Sequence, residues 1–366
     1  MPVTRRNILI FSLTFYPYVG GAEVAIKEIT DRLPHYNWTM ITARLDKKNP
    51  AEEQMGNIKV IRVGWGGKLD KYLFPWLAVK KAKTLHAKKN FKVAWGMMAF
   101  WAGWAALKFK EMFPEVKYVL TLQSGDSDEF IRRRTWFWAK RYAQIYQKPD
   151  YITAISNYLI ERAKKFGYAG DITRIPNGVD LKLFMCRPGV PHKDKAVIVT
   201  TSRLVEKNGI EDLIKSSEYL QIPHEIRIIG AGKLENSLKA MAGEHVKFLG
   251  NLNHDEIVDN LCEADVFARP SLSEGLGNAF LEAMAVGVPV VGTKVGGIPD
   301  FLEDRKTGLF CEVSNPQSIA EKIEELLNDK ALRGTIVKSA RELIEKYYGW
   351  DQISQSMDKV FQEVAS

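Results

Sequence analysis

Residues 266–292 read Val266-Phe-Ala-Arg-Pro-Ser-Leu-Ser-Glu274-Gly-Leu-Gly-Asn278-Ala-Phe-Leu-Glu282-Ala-Met-Ala-Val-Gly287-Val-Pro-Val-Val-Gly292. Short β-branched runs at 266–268 and 288–292 predict strands. The helix formers at 279–286 predict a helix between them, stopped by Gly287 with Pro289 beyond. Such a unit belongs to a parallel α/β sheet. Gly275 and Gly277 leave the backbone bare where a ligand must approach closely, and Asn278 reads as the helix N-cap. Free N–H groups and the positive dipole end then face the loop, a site suited to a diphosphate. Glu274 in the loop and Glu282 in the helix, eight positions apart, can bracket it and accept hydrogen bonds from sugar or ribose hydroxyls. Alone, such a pair reads as a loop acid and a helix-surface acid, so the flanks decide.

Those flanks, Ala264-Asp-Val-Phe-Ala-Arg-Pro-Ser271 and Gly287-Val-Pro-Val-Val-Gly-Thr-Lys-Val-Gly-Gly297-Ile-Pro-Asp300, resemble the retaining glycosyltransferases of family 4. The resemblance covers most of the chain and is strongest in its C-terminal half. It implies the GT-B fold: two Rossmann-like, doubly wound parallel-sheet α/β domains facing each other across a cleft. It also implies that Glu274 faces a donor sugar, Glu282 binds ribose hydroxyls, and the amides of Gly275, Leu276, Gly277 and Asn278 contact the diphosphate of an NDP-sugar.

Working outward, apolar runs alternate with helical stretches. Strands are expected at 8–13, 38–42, 59–63, 92–98, 118–123, 151–154 and 171–175, then at 197–201, 225–229, 246–249, 266–268, 288–292 and 308–311. With 366 residues and 46% apolar composition, two domains can each bury a core. The run 184–195, with two prolines and a glycine, is the expected linker. Domains are therefore expected at 1–185 (acceptor-binding) and 186–349 (donor-binding), with a helix over about 350–366 packing back on the first. The longest uncharged run, 93–107, is shorter than the roughly 18 apolar residues a spanning helix needs and reads as a strand and a buried helix.

Other loops point to the same chemistry. Gly20 and Gly21 follow the first strand at a helix start near Ala22 and suit close phosphate approach; they resemble the family's N-terminal glycine loop. Arg203 and Lys207, after the first strand of the second half, would meet a diphosphate with a fork of donors and a point charge. The family usually places its basic residue directly before the glycine, where this chain has Asn208. Gly230 and Leu252 match strand-end loops near the nucleotide, Leu252 against the base. Gln123 stands where the family often has a histidine, and with Asp126 it is the acceptor-side candidate. The absence of G-x-G-x-x-G counts against a dinucleotide oxidoreductase.

Asp126-Ser-Asp128 resembles a metal-binding D-x-D, but two acids at that spacing occur by chance, so no metal or cofactor is expected. Cys186, Cys262 and Cys311 show no ligand or redox spacing, which predicts reduced thiols in a cytoplasmic protein without a signal peptide. Residues 1–185 carry a net charge of +15 and the remainder −7. The basic residues gather at Lys80, Lys81, Lys83, Lys88 and Lys89 after Tyr72–Trp76, and at Arg132–Arg134, Lys140 and Arg141 around Trp136–Trp138. Either this is a solvated face with its aromatics in the core, or it suits an anionic membrane surface, which would place the protein peripherally on the inner face of the cell membrane. No nucleic-acid motif accompanies the charge.

The expected activity is transfer of a sugar from UDP or GDP to a lipid-linked or glycan acceptor. Arg203 and Lys207 stabilise the leaving diphosphate in that reading, with no covalent nucleophile. Alternatives are a sugar-nucleotide epimerase of the same fold and a non-catalytic nucleotide-sugar binder.

Overall fold

The protein is described from a computed structural model covering residues 5–186 and 194–365. It divides into two compact units. The first contains the chain up to Ser124, Asp128–Asn177 and everything from Trp350 on; the second contains Gly125–Ser127 and Gly178–Gly349. The boundary therefore falls at Asn177 and Gly178, ahead of the expected 185/186. Of the expected linker 184–195, residues 187–193 lie outside the described residues.

The first unit holds β1 (Arg6–Phe11), β2 (Tyr36–Ala43), β3 (Glu52–Met55), β4 (Ile58–Val63), β5 (Val93–Met97), β6 (Lys117–Leu122), β7 (Tyr151–Ala154) and β8 (Asp171–Arg174). Their spatial order is β3-β4-β2-β1-β5-β6-β7-β8. Every pairing is parallel except β3 with β4. In β1, Ile8, Leu9, Ile10 and Phe11 have no exposed surface, as expected of a central parallel strand covered on both faces. The last helix, Trp350–Val364, buries positions 350, 353, 354, 357, 360, 361 and 364, a helical stripe. Its Phe361 ring lies 5.6 Å from Trp38 and 5.2 Å from Trp95. Burying such a side chain contributes about 1.5–3 kcal/mol, which anchors the chain's end on the first unit's core.

The second unit holds β9 (Ala196–Thr201), β10 (His224–Ile229), β11 (Val246–Gly250), β12 (Val266–Arg269), β13 (Val290–Thr293) and β14 (Leu309–Cys311), in the order β11-β10-β9-β12-β13-β14 and all parallel. In each sheet the chain reverses its direction of winding beside the first strand. β1 lies between β2 and β5, and β9 between β10 and β12. Loops leaving the carboxyl ends at such switch points are where open α/β sheets receive ligands.

Two expectations are corrected. Cys186 and Cys262 are joined in a disulfide, with Cα atoms 5.5 Å apart across a sequence separation of 76; only Cys311 is a free, buried thiol. The pairing is a product of folding, invisible in linear spacing. The antiparallel edge strand β3 was also not foreseen, because Glu-Glu-Gln-Met carries no strand signal. It is held by pairing with β4 through a turn in which Gly56 has φ +53.

Candidate functional site

Glu274 lies in the loop between β12 and the helix Asn278–Val286, and its side chain is 17% exposed. Both carboxylate oxygens are engaged. Arg269 Nη2 donates to Oε2 at 2.5 Å, and the Gly275 N–H donates to Oε1 at 2.9 Å. The Gly297 N–H donates to the Glu274 carbonyl at 3.1 Å. Gly296 has φ +54, and a Cβ there would lie 1.8 Å from that carbonyl, so only glycine allows this turn to back onto Glu274.

Arg269, at the end of β12, is 7% exposed along its side chain. Its Nη1 donates to the Thr201 carbonyl at 3.3 Å, and its guanidinium lies 4.9 Å from the Phe280 ring centre. Among the described residues, Arg269 Nε, Thr201 Oγ1 and Ser271 Oγ are buried without a hydrogen-bond partner. Glu282 projects from the helix with no hydrogen bond or ion pair among the described residues. Loss of hydration pushes its carboxyl up to about 7, against the pull of the Arg269 charge. Two acids eight residues apart thus sit in opposite states, one clamped and one open, with a single arginine acting on both.

The helix starts differently from its expected form. Gly277, with φ +104, occupies the N-cap, and Asn278 is the first helical residue. The left-handed backbone at Gly277 takes the place of a side-chain cap, because a Cβ would lie 2.9 Å from Phe280 and 3.3 Å from Arg269 Nη2. The first turn carries no side-chain cap, while Leu276 is 1% exposed and can offer a ligand only its backbone.

The loop after β9 is fastened to this one. Lys207 O accepts from the amides of Leu272 at 2.7 Å and Ser273 at 3.3 Å. Gly209, with φ +66, leaves room for the Pro270 carbonyl, which a Cβ would approach to 1.9 Å. Asn208, standing where a basic residue is usual, donates to the Arg203 carbonyl at 2.6 Å and closes the loop. Lys207 Nζ pairs with Asp126 at 3.3 Å. Arg203 is exposed and its side chain has no ion pair among the described residues. Beside it, the Gly230 N–H donates to Gly250 O at 2.7 Å, and Leu252 follows β11, partly buried. Strand order therefore gathers Arg203, Lys207, Gly230 and Glu274–Asn278 beyond the carboxyl ends of the neighbouring strands β9, β10 and β12, with Glu282 on the helix that follows β12 and Leu252 beyond the outer strand β11.

Gly20 and Gly21 belong to the first unit and open the helix Gly21–Arg32. The buried first-turn Glu23, bonded to Thr14, already brings an acid to that helix end. Gln123 is held in a reciprocal amide pair: its Nε2 donates to Asn177 Oδ1 at 3.0 Å, and Asn177 Nδ2 donates to Gln123 Oε1 at 3.2 Å.

Comparison with known proteins identifies this arrangement. The model described as Glycosyltransferase Family 4 matches residues 19–183, and that described as Glycosyl transferases group 1 matches 187–343. The chain belongs to this glycosyltransferase family. It is 32% identical over 239 residues to a GDP-mannose-dependent phosphatidylinositol monomannoside mannosyltransferase of Corynebacterium glutamicum, covering 58% of this chain and 62% of that one. It is 26% identical over 358 residues to an uncharacterised glycosyltransferase of Methanocaldococcus jannaschii, covering 96% of this chain and 97% of that one. Sucrose-phosphate synthase from Thermosynechococcus elongatus superposes with a TM-score of 0.88 at 21% identity, over 98% of this chain and 99% of that one, which shows the GT-B fold.

Within this glycosyltransferase the two acids of the D-x-D diverge. Asp126 faces Lys207, whereas Asp128 accepts from the buried Arg162 at 2.9 Å and lies 3.8 Å from Lys165. Among the described residues no cluster of three or more acid, histidine or cysteine side chains could hold a metal. Sequence reading gave no role to Arg269 or Asn177. Arg269 lay inside the quoted 264–271 flank, and an arginine ending an otherwise apolar strand was the available signal. Asn177 sits in Pro176-Asn-Gly-Val-Asp180, a turn string whose partner across the sheet no local pattern reveals.

Proposed function

We propose that this glycosyltransferase moves a sugar, with retention of anomeric configuration, from UDP or GDP to a lipid-linked or glycan acceptor of the cell envelope, without a metal. The observation that carries the reading is the pair Glu274, in the loop before the helix Asn278–Val286, and Glu282 within it, with Gly277 as the helix N-cap and Arg203 and Lys207 on the adjoining loop. In this reading the clamped Glu274 faces the sugar. Glu282 takes the ribose hydroxyls, which stabilise its charged form. Arg203, Lys207 and the helix start stabilise the diphosphate as negative charge develops on it. The leaving phosphate takes the acceptor proton, and Gln123 and Asp126 orient the acceptor.

The name of the Corynebacterium relative, a phosphatidylinositol monomannoside mannosyltransferase, supports a lipid-linked acceptor. The basic first 185 residues support an enzyme attached peripherally to an anionic membrane. No described helix is long and apolar enough to cross one.

The test is incubation with UDP- and GDP-sugars, with and without lipid acceptors and with and without EDTA, measuring released nucleotide and the linkage formed. Acceptor-dependent release of one nucleotide that survives EDTA is expected. Binding without release would indicate a non-catalytic binder, epimerised donor an epimerase, and loss on EDTA restored by Mg²⁺ a metal site.

A further inference from the structure

Aromatic side chains on the first unit form one connected array that faces outward. Trp101, Trp104 and Trp138 stack mutually, with ring centres 5.1–5.9 Å apart. Trp76 joins through Trp104 and Tyr72 through Trp101, while Phe137 and Trp136 extend the array from Trp138. Its rim is open to solvent: Trp136 is 76%, Phe137 71%, Trp76 49% and Tyr72 46% exposed. Of the two readings left open by the sequence, the one that puts these aromatics in the core therefore fails for the outer rings.

Cations border the rings. Lys71, Lys108 and Arg134 lie over Tyr72, Trp76 and Phe100 at 4.7, 5.8 and 4.9 Å. Arg132, Arg133 and Lys140 are exposed without ion pairs among the described residues. Lys81 and Arg141, by contrast, are held by Glu52 and Glu111, and Lys89 donates to Thr39, so they drop out of the expected basic face. Nearby acids are also engaged: Asp70 accepts from the amides of Trp65, Gly66 and Gly67, and Asp128 pairs with Arg162. Glu129 remains an exposed acid at the edge.

We propose that this array is an interfacial anchor, with the Trp136–Phe137 tip and Trp76 inserted among the headgroups of an anionic bilayer and the cations on its phosphates. The inference rests on the membrane reading above and adds the mode of attachment, insertion rather than electrostatic contact alone. Tryptophan prefers the membrane interface, and rings beside Lys and Arg suit an anionic leaflet. A second copy is a poor occupant, because a twofold contact would bring the same unpaired cations together and interface cores are depleted of lysine.

The full chain carries its own reporters. Of its nine tryptophans, Trp38, Trp95 and Trp350 are buried, and Trp76, Trp101, Trp104, Trp136 and Trp138 belong to the array. Binding is measured with vesicles of mixed phosphatidylglycerol and phosphatidylcholine, and of phosphatidylcholine alone, both with brominated acyl chains, at low and high salt. Blue-shifted, quenched tryptophan emission on the anionic vesicles is expected. The Trp136→Ala/Phe137→Ala variant should bind about tenfold or more weakly and lose most of the quenching, while Arg132→Glu/Arg133→Glu should lose the salt-sensitive part. These side chains are exposed, so both variants should fold.

Unquenched binding, or an aromatic variant that binds like the wild type, would overturn insertion. So would a wild-type dimer that the aromatic variant abolishes. Nucleotide release with a detergent-dispersed acceptor reads the enzymatic proposal separately and should be unchanged in both variants.

Discussion

The Arg269 guanidinium grips the Glu274 carboxylate at 2.5 Å and lies 4.9 Å from the centre of the Phe280 ring, two residues before Glu282 in sequence. One cation from the end of β12 thus fixes a carboxylate in the loop and acts on another in the helix.

Arg269 should therefore behave as a positioning residue. Arg269→Lys keeps the charge but loses the fork, and it should lower kcat by about 10–100-fold, within the range seen when one element of a preorganised site is displaced, with donor KM less affected. Arg269→Leu leaves a partly buried carboxylate unpaired, which typically costs about 3–5 kcal/mol. Steady-state kinetics beside calorimetric melting separates the two effects. A lysine variant with normal kcat would make Arg269 a purely structural buried charge.

Glu282 predicts a pH dependence. Its carboxyl rises from the ordinary 4.5 to about 7 in the folded protein, so the folded state holds this proton more tightly than the unfolded state. The group's contribution to stability is fully present below about pH 4.5, declines up to about pH 7 and is lost above it. Ribose hydroxyls favour the carboxylate, so nucleotide affinity should rise by up to tenfold per pH unit below 7 and level off above it. Glu282→Gln should flatten that rise in calorimetric titrations. A wild-type affinity that does not change between pH 5.5 and 8 would contradict the ribose role.

The Cys186–Cys262 bridge closes a loop with a sequence separation of 76, for which chain entropy allows about 4.5 kcal/mol of stabilisation. Dithiothreitol should lower the melting temperature by several degrees. Cys262→Ser should melt at the reduced value and ignore reductant. Three alkylatable thiols in the unreduced, unfolded protein would contradict the bridge.

The legible parts were those written in neighbouring residues. Glycine, proline and helix-former signals at 274–289 located the loop, the helix and its Gly287 stop, and β-branched runs located the parallel strands of both sheets. The cap was misassigned by one residue because the left-handed backbone of Gly277, wedged between Phe280 and Arg269, depends on packing. Arg269 escaped notice for the same reason: its partners exist only once β12 lies beside β9 and Phe280 returns over the strand end. The Cys186–Cys262 bridge and the Gln123–Asn177 pair likewise join distant positions. The tryptophans around 136–138 could not be assigned to core or surface from sequence, because a stacked array looks the same in either place until its neighbours are known.

The proposed division of labour between the two ends of the second unit's site is read out by a side-by-side kinetic comparison of Arg203→Ala and Glu282→Ala. Loss of Arg203 should lower kcat by roughly 10²–10³ through lost stabilisation of the leaving diphosphate. Loss of Glu282 should chiefly raise the donor KM. Equal falls in kcat for both variants, with donor KM unchanged, would contradict it.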